Sequence, residues 1–264
     1  MKPAKITLSS TPPNRLKSRL FGLLTGLLLV PASVLLAQPV TPFSKSSGDA
    51  PPAPWKVHPF PGTEKPVSRF DMVNLDGERV LRVVAEKSYG TVQHDLPPAA
   101  VGKGSKLRWR WRLDQPLRDA DLRQKKGDDT PLKVCALFDM PLKQLKFFER
   151  NFLLAARSMS GQNLPTTTLC YVWDHKLAVN TELPNAFTRR VRYIVLSTGD
   201  SQLKTWLKQE RDLEQDFRRA FGEETDTVPP LIGLAIGADA DNTGGSSLGY
   251  VGDVELSLVP PTVP

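Results

Sequence analysis

The sequence predicts a mainly β protein: an antiparallel, jelly-roll-like β-sandwich with two short helices, preceded by a signal peptide and a Pro-rich arm. Three observations carry this. Nine short apolar or alternating segments follow one another from residue 67 onward, separated by turn residues. Asp76-Gly77 sits between the first two of them, a pair suited to a two-residue hairpin turn. At 105–113 the alternation is clearest, with Leu107, Trp109, Trp111 and Leu113 on one face and Arg108, Arg110 and Arg112 on the other.

In chain order, residues 1–37 read as a secretory signal. Lys2, Lys5, Arg15, Lys17 and Arg19 make a basic start without acids, and an apolar run follows from Leu20 to Ala37. Cleavage is expected after Ala37 and places the protein in the periplasm. If uncleaved, residues 20–37 are long enough to anchor it in the inner membrane. That segment is the expected route to a membrane. Residues 38–66 contain eight prolines and read as a linker or a loosely docked arm, pinned by Trp55 and Phe60. Residues 67–264 form a single sandwich domain, with strands expected at 67–73, 79–86, 89–96, 105–113, 131–138, 168–174, 189–197, 230–238 and 248–258.

Two helices interrupt the strands. At 141–158 and just beyond, Leu142, Leu145, Phe148, Phe152, Ala155 and Met159 recur at helical spacing as one apolar stripe, with Lys143, Lys146, Arg150 and Arg157 off it. Packed on the sheet, this stripe is core; exposed, it is a surface for a membrane or another subunit. At 213–221, Asp212 and Gln215 resemble a capping box, Leu213, Phe217 and Phe221 form the buried face, and Gly222 suits the position after the helix.

The charge balance argues against nucleic acid as a partner. The chain carries 35 basic and 28 acidic residues, net +7, but five of the basic residues lie in the signal. The remaining 30 against 28 leave +2, without the basic footprint of a nucleic-acid module. Cys135 and Cys170 lie in strand-like VCALF and LCYVW runs. They fit either two buried thiols or a disulfide, the latter requiring neighbouring strands.

A series of motifs in fixed order resembles a known bacterial family. They are LRWRWRL at 107–113, KKGDD at 125–129, the YVW of 171–173 and FTRRVRYIVLSTG at 187–199, then W-x3-ER-D-x3-D-F-x3-FG from Trp206 to Gly222, GADADNTG at 237–244 and GD at 252–253. Over roughly residues 67–257 the chain is similar to exported proteins grouped as domain of unknown function 3047. The resemblance implies the fold and the order of its parts, and no activity. The family pattern has an aromatic before the last GD and a hydroxylated residue in the DxDNT segment, where this chain has Val251 and Ala240.

Four constellations are candidates for chemistry. Asp239, Asp241 and Asn242, with Asp253 further on, offer oxygens to Ca²⁺, or else form an Asx-rich turn. Position twelve of the would-be EF-hand loop is Tyr250, so it is not an EF-hand. Arg108, Arg110 and Arg112, with Arg211, suit carboxylates or phosphates of a ligand, or pair with acids of the protein. Trp206, in a charged segment, is the candidate exposed aromatic, whereas Trp109 and Trp111 read as core. Asp128, Asp129 and Asp216 are the carboxylates available for acid–base work. There is no G-x-S-x-G, H-E-x-x-H or P-loop, and the three histidines are scattered. The leading expectation is a non-catalytic binding or accessory domain for a glycan or cell-envelope component. The alternative is a carboxylate-dependent hydrolase of polysaccharide or peptidoglycan.

Overall fold

The computed structural model describes Met1 and residues 36–38, 40–59, 64–162 and 164–261. The expected signal peptide lies almost wholly outside the described residues, as does Phe60. Residues Ser33–Pro264 form one compact unit, separate from Met1–Ala32.

Fourteen strands and two α-helices are described: β1 (Leu36–Gln38), β2 (Lys56–His58), β3 (Arg69–Leu75), β4 (Glu78–Glu86), β5 (Tyr89–Ala99), β6 (Lys106–Gln115), β7 (Leu132–Phe138), α1 (Phe147–Ser160), β8 (Thr167–Asp174), β9 (Glu182–Pro184), β10 (Val191–Thr198), β11 (Leu207–Asp212), α2 (Leu213–Phe221), β12 (Leu231–Asp239), β13 (Ser246–Val251) and β14 (Glu255–Leu258). They make two seven-stranded sheets in a sandwich. The first runs β1-β14-β6-β13-β4-β3, with β11 on the other flank of β6. The second runs β2-β5-β12-β7-β8-β10-β9. The ladders are antiparallel, as expected, except one: β8 and β10 pair in parallel, so the chain crosses over between them.

The nine expected strands are all present. The last of them is broken: β13 and β14 lie in line along β6, and residues 252–254 between them are not strand. At the β3–β4 turn, Asp76 and Gly77 have φ of 54° and 81°, both in the left-handed region that a type I′ hairpin needs. Strands β1, β2, β9 and β11 were not expected. β2 belongs to the Pro-rich arm, whose described part is docked: Trp55 and Phe43 are buried with ring centroids 4.9 Å apart, and Trp55 Nε1 donates to the Thr41 carbonyl at 2.9 Å.

Between the sheets the alternation of β6 delivers Trp109 and Trp111 against Tyr171 and Trp173 of β8, at centroid distances of 5.2 and 5.9 Å. These aromatics are core, and none is an exposed platform. From α2, Phe217 and Phe221 join the same core, and burial of such a side chain stabilises by about 1.5–3 kcal/mol.

The two sheets differ on their outer faces. The second is covered there by a smaller apolar cluster that holds Leu122, Cys135, Cys170, Val172 and Tyr193. Every residue of β7 and β8 is consequently buried. Cys135 and Cys170 face each other across β7 and β8 and form a disulfide. No such cover lies over the Arg-bearing face of β6 in the first sheet, where Arg108, Arg110 and Arg112 are only half-buried.

α2 matches its expected span, and Asp212 caps it by accepting from Gln215 N at 3.0 Å. Gly222, however, stays helical at φ −60°. It is small because the Arg218 carbonyl lies 2.4 Å from where a Cβ would stand. The other helix is shorter than expected at its start, Leu142–Gln144 forming a separate 3₁₀ turn. Of the expected apolar stripe, Leu145 is buried in the core and Leu142 packs against it, ahead of the helix, while Phe148, Phe152 and Met159 on the helix are exposed. Only Leu153 of α1 is buried.

Candidate functional site

Two constellations emerge, one buried and one open. The buried one lies where the loop before β7 meets the end of β12. KKGDD and GADADNTG are brought together there, Asp129 meeting Asn242 113 residues further along the chain. Asp129 accepts four hydrogen bonds, from Asn242 N and Nδ2 (3.1 and 3.2 Å) and from Thr243 N and Oγ1 (2.7 and 2.6 Å). Asp239 accepts from Thr130 N at 2.7 Å, from the Thr130 hydroxyl, and from Lys133 Nζ at 3.0 Å. Asp241 pairs with Lys65.

One carboxylate oxygen from each of Asp129, Asp239 and Asp241 falls within 4.8 Å of the others. That spacing suits a cation. Yet Lys133 and Lys65 already bring ammonium groups to it, and the Asx and Thr donors engage the remaining oxygens of Asp129. Asn242 serves as a donor, through its amide nitrogen. Asp253 is elsewhere: it accepts from Ser44 N and Oγ at 2.8 and 2.6 Å and ties the arm to the β13–β14 break. Of the four residues expected around a metal, only Asp239 and Asp241 therefore bring their carboxylates to one cluster, and Asp129 is its third member.

Burial sets the electrostatics of this cluster. Burial is the largest single influence on Lys133 and would lower its ammonium, but the charge and hydrogen bond of Asp239, together with Tyr193 and Tyr89, outweigh it and raise the group, so the lysine is charged. The Asp239 carboxyl is pushed up by burial, with Lys133 opposing. Asp128 accepts from Asn185 Nδ2 and is pushed up to about 6, by burial first and by the Asp239 charge second, with Lys133 opposing.

The other carboxylate candidate is not part of this cluster. Asp216 on α2 takes both prongs of Arg211 at 2.8 and 2.6 Å and the Tyr171 hydroxyl at 2.9 Å. Asp128, Asp129 and Asp216 are 4, 0 and 1 % exposed, and Arg211 is committed to Asp216. Such a bidentate pair locks β11 to the helix that follows it.

The open constellation is on the outer face of the first sheet, where a shallow groove of about 420 Å³ runs over β4, β6, β11 and β14. Arg108, Arg110, Lys208, Gln209, Glu210 and Glu255 are among the side chains that line it. Arg108 pairs with Glu210 at 2.7 Å and Arg110 with Glu78. Arg112, outside the groove, pairs with Asp76 at 2.9 Å and Asp114 at 2.7 Å. The guanidinium of Arg110 lies 4.5 Å from the ring centroid of Trp206, whose Nε1 donates to Asp76 at 3.0 Å. Trp206 is half-buried under this cation.

Gly252, at the break between β13 and β14, makes room for Arg110. A Cβ there would lie 2.6 Å from Arg110 Nε and 2.8 Å from its Cγ. The charged segment around Trp206 was not among the expected strands, and half of this groove is built on it. In β11, Lys208 and Glu210 stand opposite Arg110 and Arg108.

No relative among curated proteins matches the chain. Among solved structures, it is similar to the family 11 carbohydrate-binding module of the cellulosomal cellulase Lic26A-Cel5E of Clostridium thermocellum, at 10% identity and a TM-score of 0.38 over 88% of this chain and 99% of that one. For the K1 cleaved adhesin domain of Lys-gingipain from Porphyromonas gingivalis W83 the values are 11%, 0.36, 85% and 98%. For the Trichoderma harzianum endoglucanase 3 from family GH12 they are 10%, 0.37, 79% and 99%. Likeness at this level says nothing about what this chain binds. The sequence family is another matter: its motifs build the acidic cluster, β6 and its charged face, and its profile spans residues 53–255, so the chain belongs to the family described as protein of unknown function (DUF3047).

Proposed function

We propose that this chain is a non-catalytic binding domain for a glycan or another polyhydroxylated cell-envelope component, taken up on the outer face of the first sheet. The groove over β6 and β11 carries the reading. Arg79, Arg108, Arg110 and Lys208 face Glu78, Glu210, Asp253 and Glu255 around it, four cations against four anions. A balanced set of charges offers hydrogen bonds in both directions without net attraction for an ion. This suits the hydroxyls of a neutral glycan better than a phosphate or a uronate, which would have to displace Glu78 or Glu210 from its arginine. The donors stand on strands, where their spacing is fixed before the ligand arrives.

Export is part of the same proposal. The basic start and apolar run of residues 1–37 argue for it, and a disulfide between Cys135 and Cys170 persists in an oxidising compartment. The hydrolase alternative is less well supported. It needs two carboxyl groups about 5–9.5 Å apart on an open cleft, whereas the carboxylates expected for it, Asp128, Asp129 and Asp216, are buried and hydrogen-bonded inside the protein, and Glu78 and Glu210 on the open groove are ion-paired to Arg110 and Arg108.

Isothermal titration with neutral β-glucan and chitin oligosaccharides, peptidoglycan fragments and an anionic polyuronate tests this. Binding of a neutral oligosaccharide, weakened at least about tenfold by Arg110→Ala or Lys208→Ala, is the expected result; a typical lost hydrogen bond to a charged donor corresponds to such a factor. Indifference to every glycan, or binding untouched by both substitutions, would refute it.

A further inference from the structure

α1 is amphipathic, but it is turned the wrong way for a helix that completes its own core. Phe147, Phe148, Phe152, Leu154 and Met159 are 62, 82, 73, 44 and 73% exposed. At 100° per residue they share one face with Asn151, Ala155 and Ser158, and that face contains no charged residue. Of the charges of the helix, Arg150 flanks this face, its guanidinium 5.7 Å from the ring centroid of Phe147, and the other two are turned to the base. Glu149 meets Arg190 at 3.3 Å, and Arg157 donates to the Leu164 carbonyl at 2.9 and 2.6 Å. A contiguous apolar patch of this kind on a soluble domain marks an interaction surface.

The chemistry of the rim points to the partner. Lys143 and Lys146, directly before the helix, are both exposed. No acid on the outward face of the helix would meet them if a second copy packed there. The anionic headgroups of a phospholipid surface would, while the acyl boundary takes the phenylalanines. With 14 residues, α1 is about 21 Å long, too short to span a bilayer, so it must lie flat. No helix among the described residues is long and apolar enough to cross a membrane. The helix sits in the excursion between β7 and β8, whose strands are joined by the Cys135–Cys170 disulfide, so its base is held before docking. We infer that α1 is a monotopic docking helix that lays its Phe148/Phe152 face into an anionic phospholipid surface.

Co-sedimentation with phosphatidylglycerol-containing vesicles and with pure phosphatidylcholine vesicles tests this. The compact unit Ser33–Pro264 is used, so that the apolar run at 20–32 contributes nothing. It should bind the anionic vesicles preferentially. Phe148→Ser/Phe152→Ser should lower that binding at least about tenfold without changing the melting temperature or glycan binding. Lys143→Glu/Lys146→Glu should abolish the preference for anionic lipid. Absence of vesicle binding, or binding unchanged in the double serine variant, overturns the inference. So does a dimer in sedimentation velocity that the serine variant dissociates while vesicles are ignored, which would give the face to a second copy instead.

Discussion

Lys133 Nζ stands 3.0 Å from Asp239 in the buried cluster and opposes the burial that raises the Asp128 carboxyl. KKGDD and GADADNTG stand out in the sequence as polar clusters beside apolar strands, but periodicity does not say that they meet. Lys133 is the hidden member: within an apolar run it reads as a tolerated exception, and only the pairing of β7 with β12 puts it against Asp239. Two outcomes follow. Since the Asp128 carboxyl is raised to about 6 from an ordinary 3.8, the folded state holds its proton longer than the unfolded chain. Stability attributable to this group is therefore greatest below pH 4 and declines as pH rises from about 4 to 6. Asp128→Asn, followed by urea unfolding across pH 4–8, should remove that decline and be more stabilising at pH 8 than at pH 4; the reverse slope would contradict it. Lys133→Met leaves Asp239 buried without its cation and should cost about 3–5 kcal/mol in the same assay. Because the lysines occupy the place of a cation, EDTA and added Ca²⁺ should leave the melting temperature of the wild type unchanged. A Ca²⁺-restored rise would instead make Asp129, Asp239 and Asp241 ligands.

Among elements, those whose pattern is local were legible: β6 from its period of two, the β3–β4 hairpin from Asp76-Gly77, α2 from its cap. β11 was not, because the charges in LKQERD satisfy no strand template until Arg108 and Glu210 face each other across the ladder. The periodicity of α1 was legible, but which way it faces was not, since a stripe does not say whether core or membrane lies opposite. The β7–α1–β8 excursion rests on one covalent link. Replacing Cys135 and Cys170 with Ala opens a loop of 35 residues and should lower stability by about 2–4 kcal/mol in guanidinium titration. Gly252→Ala should push Arg110 off the β13–β14 break. Its expected signature is weaker glycan binding with little change in melting temperature, because the clash falls on a side chain at the surface and not on the core.

At the scale of the molecule, the two sheets divide the work. The second is buried on both faces at its central strands β7 and β8 and carries the disulfide and the acidic cluster, which join distant segments. The first buries one face and leaves the other to solvent, with its arginines spaced along β6. The sandwich was readable from the succession of short strands, while the open groove depends on which sheet is covered, a tertiary fact that no single strand encodes. The central claim is that this open face is where a neutral glycan binds. Amide chemical-shift mapping of the isotope-labelled protein during titration with neutral oligosaccharides tests it most directly. Shifts confined to β6, β11 and β14, with Arg110 and Gln209 among the largest, are the expected result. Shifts clustered instead around Asp128 and Asp239, or none at saturating glycan, would contradict it.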